Sequence, residues 1–258
     1  MKIAILSDLH ANLPALQAVS ADLERVRPDQ VVCLGDLVGY GAQPNEVIDW
    51  VRERNIPTVL GNNDEGVGFD LHDSGSANRS PEANRLSQAS LRWARAHTTP
   101  DRKEFLRGLP IQIRQQSGGV HLMFVHGSPR TINEYLYEDR PAATFEHIAK
   151  LAGCDVLFFG HTHLAYQKWV GRTLFVNAGS VGRPKDGDPR AGYVVLELNR
   201  FRRVEFRRVA YDVPAAMRAM HAAGLPPALA EQLATGGAPA APALRVAAPA
   251  LAPLGEMP

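Results

Sequence analysis

Five short blocks of this chain gather carboxylates, imidazoles and amides: Asp8-Leu9-His10, Gly35-Asp36, Gly61-Asn62-Asn63-Asp64, His126-Gly127 and Gly160-His161-Thr162-His163. Carboxylate, imidazole and amide oxygen, with no thiolate among them, suit a borderline divalent ion such as Mn, Fe, Ni, Co or Zn. The two i, i+2 pairs, Asp8/His10 and His161/His163, leave two arrangements open. Each pair can reach one ion only if its backbone is a loop rather than a flat strand; otherwise each pair could straddle two ions. Asp36, a lone aspartate between them, can bridge two ions about 3.5–4 Å apart, the spacing that holds attacking and leaving oxygens in phosphoryl transfer.

Such a set works only if the fold brings its members together. Lys2–Ser7 and Gln30–Leu34 are short apolar runs that predict strands, with a helix over Asn12–Arg27 between them marked by Leu13, Leu16, Val19, Leu23 and Val26. Pro44–Arg54 predicts a second helix with proline in its first turn, and Pro57–Leu60 a third strand, giving a β-α-β-α-β start on a parallel sheet. Val120–Val125 and Val156–Phe159 predict strands directly before His126 and His161. Every block therefore follows a predicted strand, and loops beyond the carboxyl ends of strands converge on one crevice in an open α/β sheet. Glycine in four of the blocks allows sharp turns and close backbone approach.

A Gly-, Asp- and Ser-rich loop over 66–80 precedes a helix beginning near Ser80–Pro81 and a helical turn or two at Asp101–Arg107. A loop of that length in a compact domain is expected to serve function, here as a lid or substrate-facing insertion over about 66–107. The second half predicts further strands at Ile111–Gln115, Ala165–Val170, Thr173–Val176, Gly192–Leu198 and Arg203–Val209, with one helix at Ala142–Leu151. Runs of strands with few helices predict a mixed second sheet facing the first as a sandwich. Val213–Ala223 and Pro227–Ala234 predict two terminal helices, an extension over 213–235 beyond a main domain of 1–212. The Ala/Pro-rich 236–258 has little to bury and is expected to be a disordered tail.

Composition narrows the function. With 45% hydrophobic and 21% charged residues over 258 positions, and a net charge of +1, the chain offers no electrostatic argument for a nucleic-acid polymer or an anionic membrane as partner. Arg200, Arg202, Arg203, Arg207 and Arg208 alternate with apolar residues, the pattern of a strand's solvent face. No apolar run reaches the roughly 18–20 residues of a membrane span, and no secretory signal is visible. The two cysteines, Cys33 and Cys154, are too few for a disulfide framework, so a cytoplasmic location is expected. Nothing in the pattern specifies an oligomeric state.

Taken in order, the five blocks resemble the calcineurin-like metallophosphoesterase superfamily, above all its small bacterial and archaeal single-domain phosphodiesterases, over roughly residues 1–209. The resemblance implies a metallophosphoesterase domain over 1–212 of α/β (α+β sandwich) class: two facing mixed β-sheets flanked by helices, four layers in all. It implies that Asp8, His10, Asp36 and His163 hold one metal and Asp36, Asn62, His126 and His161 a second, with attack on phosphorus by a bridging hydroxide. The implied substrate is a small phosphodiester or phosphomonoester. A protein Ser/Thr phosphatase, or a catalytically weak scaffold of the same fold, are the alternatives.

The departure is Asn63, where the family commonly has a histidine that contacts substrate and protonates the leaving group. Asparagine can donate a hydrogen bond but is no acid near neutral pH. Asn63 is therefore expected to contact substrate, with preference for good leaving groups or a replacement acid from the insertion, His72 first and His97 second. Arg183, in the segment Asn177–Arg183 that also resembles the family's pattern, could bind a phosphate oxygen bidentately. Asn12 is read as the cap of the first helix, with substrate contact as the lesser role. His121, His147 and His221 fall away from the blocks and carry no assigned role.

Overall fold

The computed structural model describes residues 1–76, 80–198 and 202–237. Along the chain run β1 (Lys2–Leu6), α1 (Leu13–Val26), β2 (Gln30–Cys33), α2 (Pro44–Glu53), α3 (Asn62–Gly68), α4 (Pro81–His97), α5 (Pro100–Arg107), β3 (Gln112–Ser117), β4 (Val120–Val125), α6 (Ala142–Ala152), β5 (Val156–Phe159), β6 (Tyr166–Val170), β7 (Thr173–Asn177), β8 (Ala191–Leu198), β9 (Arg202–Val209), α7 (Val213–Ala222) and α8 (Pro227–Ala234). One sheet has the order β2-β1-β8-β9 and the other β3-β4-β5-β7-β6. Both are mixed: β1 is parallel to β2 and antiparallel to β8, while β4, β5 and β7 run parallel between antiparallel edges.

Period-two alternation builds the layers. Ile3 and Ile5 of β1, Val194 and Leu196 of β8, Leu122 and Phe124 of β4, and Val156 and Phe158 of β5 meet between the sheets. The alternate residues Ala4, Leu6, Tyr193 and Val195 pack outward on α1 and α2. On the opposite side, Met123, Val125, Leu157, Phe159 and Phe175 pack on Phe145 and Ile148 of α6. The result is the four-layer helix–sheet–sheet–helix sandwich, and its continuous apolar strands are those expected of sheets buried on both faces.

The first sheet departs from its expected parallel start. Pro57–Leu60 does not form a strand: it makes one parallel bridge, Cys33 with Thr58. Pro57 has no N–H to extend a ladder, and the Leu60 N–H turns away to the Pro110 carbonyl (2.7 Å). β8, arriving antiparallel from the far end of the chain, takes the remaining side of β1. Nor is 66–80 all loop; α3 runs through to Gly68 and is started by Asp64, whose Oδ2 accepts from the Gly61 N–H (3.2 Å).

The C-terminal helices join the fold through their own cluster, in which Ala216, Met220, Leu229, Ala230 and Leu233 pack with Tyr40. Of the expected tail, residues 238–258 lie outside the described residues. Among the described residues no helix is long and apolar enough to cross a membrane.

A buried polar tie clamps α1 to the sheet. Asp22 accepts from Tyr193 Oη (2.7 Å) and from Arg207 Nε (2.9 Å) and Nη2 (3.2 Å). The Arg207 guanidinium holds the Asp22 carboxyl below the usual carboxylate range despite its partial burial. A depressed folded-state value means that this stabilisation is complete above the unfolded carboxylate value of about 3.9 and is lost as pH falls through the lower folded value. Asp22→Asn is expected to cost about 1–3 kcal/mol at neutral pH in urea unfolding, and the gap to the wild type is expected to narrow below about pH 4.

Candidate metal centre

The ligand residues sit on the loops that leave β1, β2, β4 and β5, and on the first turn of α3. Asp8, His10, Asp36, His161 and His163 all have left-handed backbone, with φ of 53, 47, 54, 65 and 61°. Such a conformation costs a non-glycine residue about 1–3 kcal/mol and persists only where surrounding contacts enforce it. Here those contacts are loop-to-loop: the N–H groups of Asp8 and His10 donate to Gly35 O and Asp36 O (3.0 and 2.9 Å). Two glycines permit the close approach. A Cβ at Gly160 would lie 2.0 Å from Ser7 Oγ and 2.6 Å from Asp8 Oδ2, and one at Gly61 would lie 2.2 Å from Asp36 Oδ1.

The two i, i+2 pairs divide differently although all four residues have left-handed backbone. Asp8, His10 and His163 form one buried group and Asp36, His126 and His161 a second, each with its ligand atoms within 4.8 Å of one another. The first pair thus serves one group, while the second pair straddles both. Asp36 lies between them, its Oδ2 3.7 Å from His10 Nε2 and 3.5 Å from His126 Nε2.

Each ligand is oriented by a second contact that leaves its other atom facing inward. His10, His126 and His163 place Nδ1 on the carbonyls of Val38 (3.0 Å), Leu34 (2.7 Å) and Arg183 (2.5 Å), which turns each Nε2 inward; against the burial of His126, the Asp36 charge pushes that imidazole up to about 10. Asn62 donates both amide hydrogens, to Ser74 O (3.1 Å) and Ser76 Oγ (2.9 Å), and so turns Oδ1 toward His126 Nε2 at 3.1 Å. Asp8 Oδ2 accepts from Ser7 Oγ (2.6 Å) and the His161 N–H (3.1 Å), leaving Oδ1 facing His163 Nε2 at 3.2 Å.

This arrangement tests whether the residues fit a metal, and they do. His10 Nε2 and His163 Nε2 face each other at 3.1 Å although both rings use Nδ1 as donor. Asp8 Oδ1 and His161 Nε2 are buried with no hydrogen-bond partner. Burial, with His126 nearby for one and Lys185 for the other, drives the His161 and His163 imidazoles down to about 3, which keeps both neutral. Burial works against a charged Asp8, yet the surrounding imidazoles hold its carboxyl well below the usual range. Converging lone pairs and carboxylates shielded from water are what a cation would satisfy.

The remaining expected residues take these places. Asn63 is turned onto Asp36: its N–H reaches Oδ1 (2.8 Å) and its Nδ2 reaches Oδ2 (2.6 Å). Asn12 caps α1 through the Ala15 N–H (3.2 Å) and donates to Gly182 O (2.8 Å) and Tyr211 Oη (3.2 Å). Arg183 is partly buried, with its guanidinium 4.1 Å over the Tyr40 ring. His72 is exposed, and His97 stacks on Trp93 (4.0 Å) with Nδ1 on the Trp93 carbonyl, so it closes α4.

Three residues take roles that the sequence reading did not assign. Asp64 accepts from the Leu37 and Val38 N–H groups (2.8 and 3.2 Å), fixing the loop that carries Asp36; burial and the Asp36 charge push its carboxyl up to about 7. Its place two residues after Asn62 was the available signal. Tyr40 meets His10 edge-on (4.9 Å) and Tyr135 lies tilted against His161 (4.0 Å), and no local pattern marks either.

Fold and site together bring two Asp/His groups that could hold metal ions to one place on a double-sheet sandwich. Residues 1–200 match the Calcineurin-like phosphoesterase superfamily domain, and the chain belongs to that family, a class of phosphoric ester hydrolases. It is 32% identical over 252 residues to the uncharacterized protein MJ0912 of Methanocaldococcus jannaschii, a match covering 91% of this chain and 98% of that one. The phosphodiesterase YfcE of Escherichia coli is 25% identical over 202 residues, covering 76% and 88%. Among solved structures, a metallophosphoesterase from Sphaerobacter thermophilus superposes with a TM-score of 0.73 at 33% identity, covering 92% of this chain and 99% of that one.

Proposed function

We propose that this chain hydrolyses a small phosphodiester or phosphomonoester with two divalent ions drawn from Mn, Fe, Ni, Co and Zn. The observation that carries this reading is the pair of buried Asp/His groups with Asp36 between them. Asp8, His10, Asp36 and His163 would hold one ion, and Asp36, Asn62, His126 and His161 the other. Bound there, two ions supply an activated water and positive charge against the phosphoryl oxygens.

The chain's own residues do the rest. The carbonyls of Val38, Leu34 and Arg183 orient the imidazoles, and Asn63 orients the Asp36 carboxylate. Arg183 supplies guanidinium donors for a phosphoryl oxygen. Asn63 offers no proton to a leaving group, so departure as a stable anion is favoured, and YfcE's description as a phosphodiesterase supports activated diesters as the first substrates to try. Ser74 and Ser76, which anchor Asn62, place the insertion against the centre and favour a small substrate over a protein.

The test is a panel of aryl phosphodiesters and monoesters of graded leaving-group acidity, run with Mn, Ni, Co and Zn. Turnover that falls steeply as the leaving group becomes more basic is expected. Metal-loaded, folded protein that turns over none of them would point to the scaffold alternative and sink the proposal.

A further inference from the structure

We infer that Gln232, on α8, is a positioning residue for Arg183, which makes the C-terminal helical pair part of the substrate-binding apparatus. This rests on the reading of Arg183 as a phosphate ligand. Gln232 lies beyond the residues that match the family domain, and 49 positions from Arg183 in the chain.

Arg183 is bound to the metal centre through its main chain and to α8 through its side chain. Its carbonyl accepts from His163 Nδ1, and its N–H donates to Ser180 Oγ (2.8 Å), which itself donates to the Asp8 carbonyl (2.8 Å). Its guanidinium lies over the ring of Tyr40, which stands perpendicular to the His10 ring at 4.9 Å. The outer end of the side chain is held by Gln232, with Nη2 donating to Oε1. A guanidinium has five N–H donors, and this contact uses one. Nε is buried with no partner, so donors remain for a ligand.

Gln232 is itself fixed. The Gly237 N–H returns to the Gln232 carbonyl (2.9 Å), and the Gly187 N–H donates to Gly236 O (3.1 Å). Gly236 and Gly237 have φ of 62 and 78° and lie so close to the loop after Arg183 that a Cβ would meet the Asp188 backbone at 2.5 Å and Lys185 Cα at 2.9 Å. The end of α8 is therefore locked against the same loop that carries Arg183. Leu229 and Leu233 of α8 share a narrow crevice with His10, Tyr40 and Arg183. A long, rotamer-rich side chain clamped at its tip and stacked along its plane loses less freedom when a phosphate arrives.

The experiment compares Gln232→Met, which keeps the volume and removes the acceptor, with Gln232→Glu, which keeps an acceptor. For Gln232→Met, KM for an aryl diester and the inhibition constant of inorganic phosphate are each expected to rise about tenfold, or about 1.4 kcal/mol. Its kcat is expected to stay within about twofold. Gln232→Glu is expected to stay within about threefold of the wild type in KM, and Gln232→Met added to Arg183→Ala to cost nothing further. Gln232→Ala serves if the methionine variant folds poorly. An unchanged KM in Gln232→Met and Gln232→Ala, while Arg183→Ala raises it, overturns the positioning role and leaves the proposed function intact. An unchanged KM in Arg183→Ala overturns both the role and the phosphate contact. Absence of turnover in the wild type is the separate failure of the functional reading.

Discussion

Asp36→Asn is expected to lower kcat/KM for an aryl phosphodiester by about 10³-fold with metal in excess, close to 4 kcal/mol of transition-state stabilisation. Among the described residues, Asp36 is the carboxylate whose oxygen faces both groups, near His10 Nε2 and His126 Nε2. Losing its charge weakens both ends of the centre at once. Geometry adds a second penalty. Both protein partners of this carboxylate are donors, the Asn63 N–H on Oδ1 and the Asn63 amide on Oδ2. An asparagine in its place must set its own NH₂ against one of them, whichever way it is flipped, so the side chain cannot hold the orientation that Asp36 has between the two groups. Steady-state kinetics, with thermal unfolding of the same sample to show that the fold persists, check this. A loss below tenfold would remove Asp36 from the reacting centre.

How far the sequence reached is clearest at particular residues. β4 and β5 begin and end where their apolar runs do, because a strand buried on both faces has a sharp compositional edge and here ends in a ligand histidine followed or preceded by glycine. Chemistry also survives translation to sequence: the residue types of the seven candidate ligands are those that a divalent ion would require, so their identities stood out before any geometry. Pairing did not. Asp8/His10 and His161/His163 have the same left-handed backbone yet divide differently between the two groups, a difference that no residue type at those positions announces. Asn63 shows the same limit, since only its reach to Asp36 reveals a partner other than substrate. Pro57 was the missed clue in the first sheet, because a residue without an N–H argues against extending a strand. Contacts such as Arg183 with Gln232 or Tyr135 with His161 join distant segments and leave no local periodicity to read.

Metal loading is the second large effect, and it separates two sites from one. His10 Nε2 and His163 Nε2 lie 3.1 Å apart, and Asp8 Oδ1 and His161 Nε2 are buried with no hydrogen-bond partner. Each such group costs about 1–3 kcal/mol, so the bare centre opposes the fold that contains it. A cation relieves that cost only in the folded chain, and ligand at 100 times its Kd adds about 2.7 kcal/mol per site. For a chain of this size that corresponds to a rise of about 5–10 °C in Tm for each site filled. Elemental analysis after dialysis against Mn or Zn is expected to give two ions per wild-type chain. His163→Ala, which opens the first group, and His126→Ala, which opens the second, are each expected to keep one ion and about half of the rise in Tm. Asp36→Asn is expected to weaken both, since its oxygen serves each group. One ion in the wild type, or loss of both ions on opening either group alone, would show a single centre in place of two that share a carboxylate.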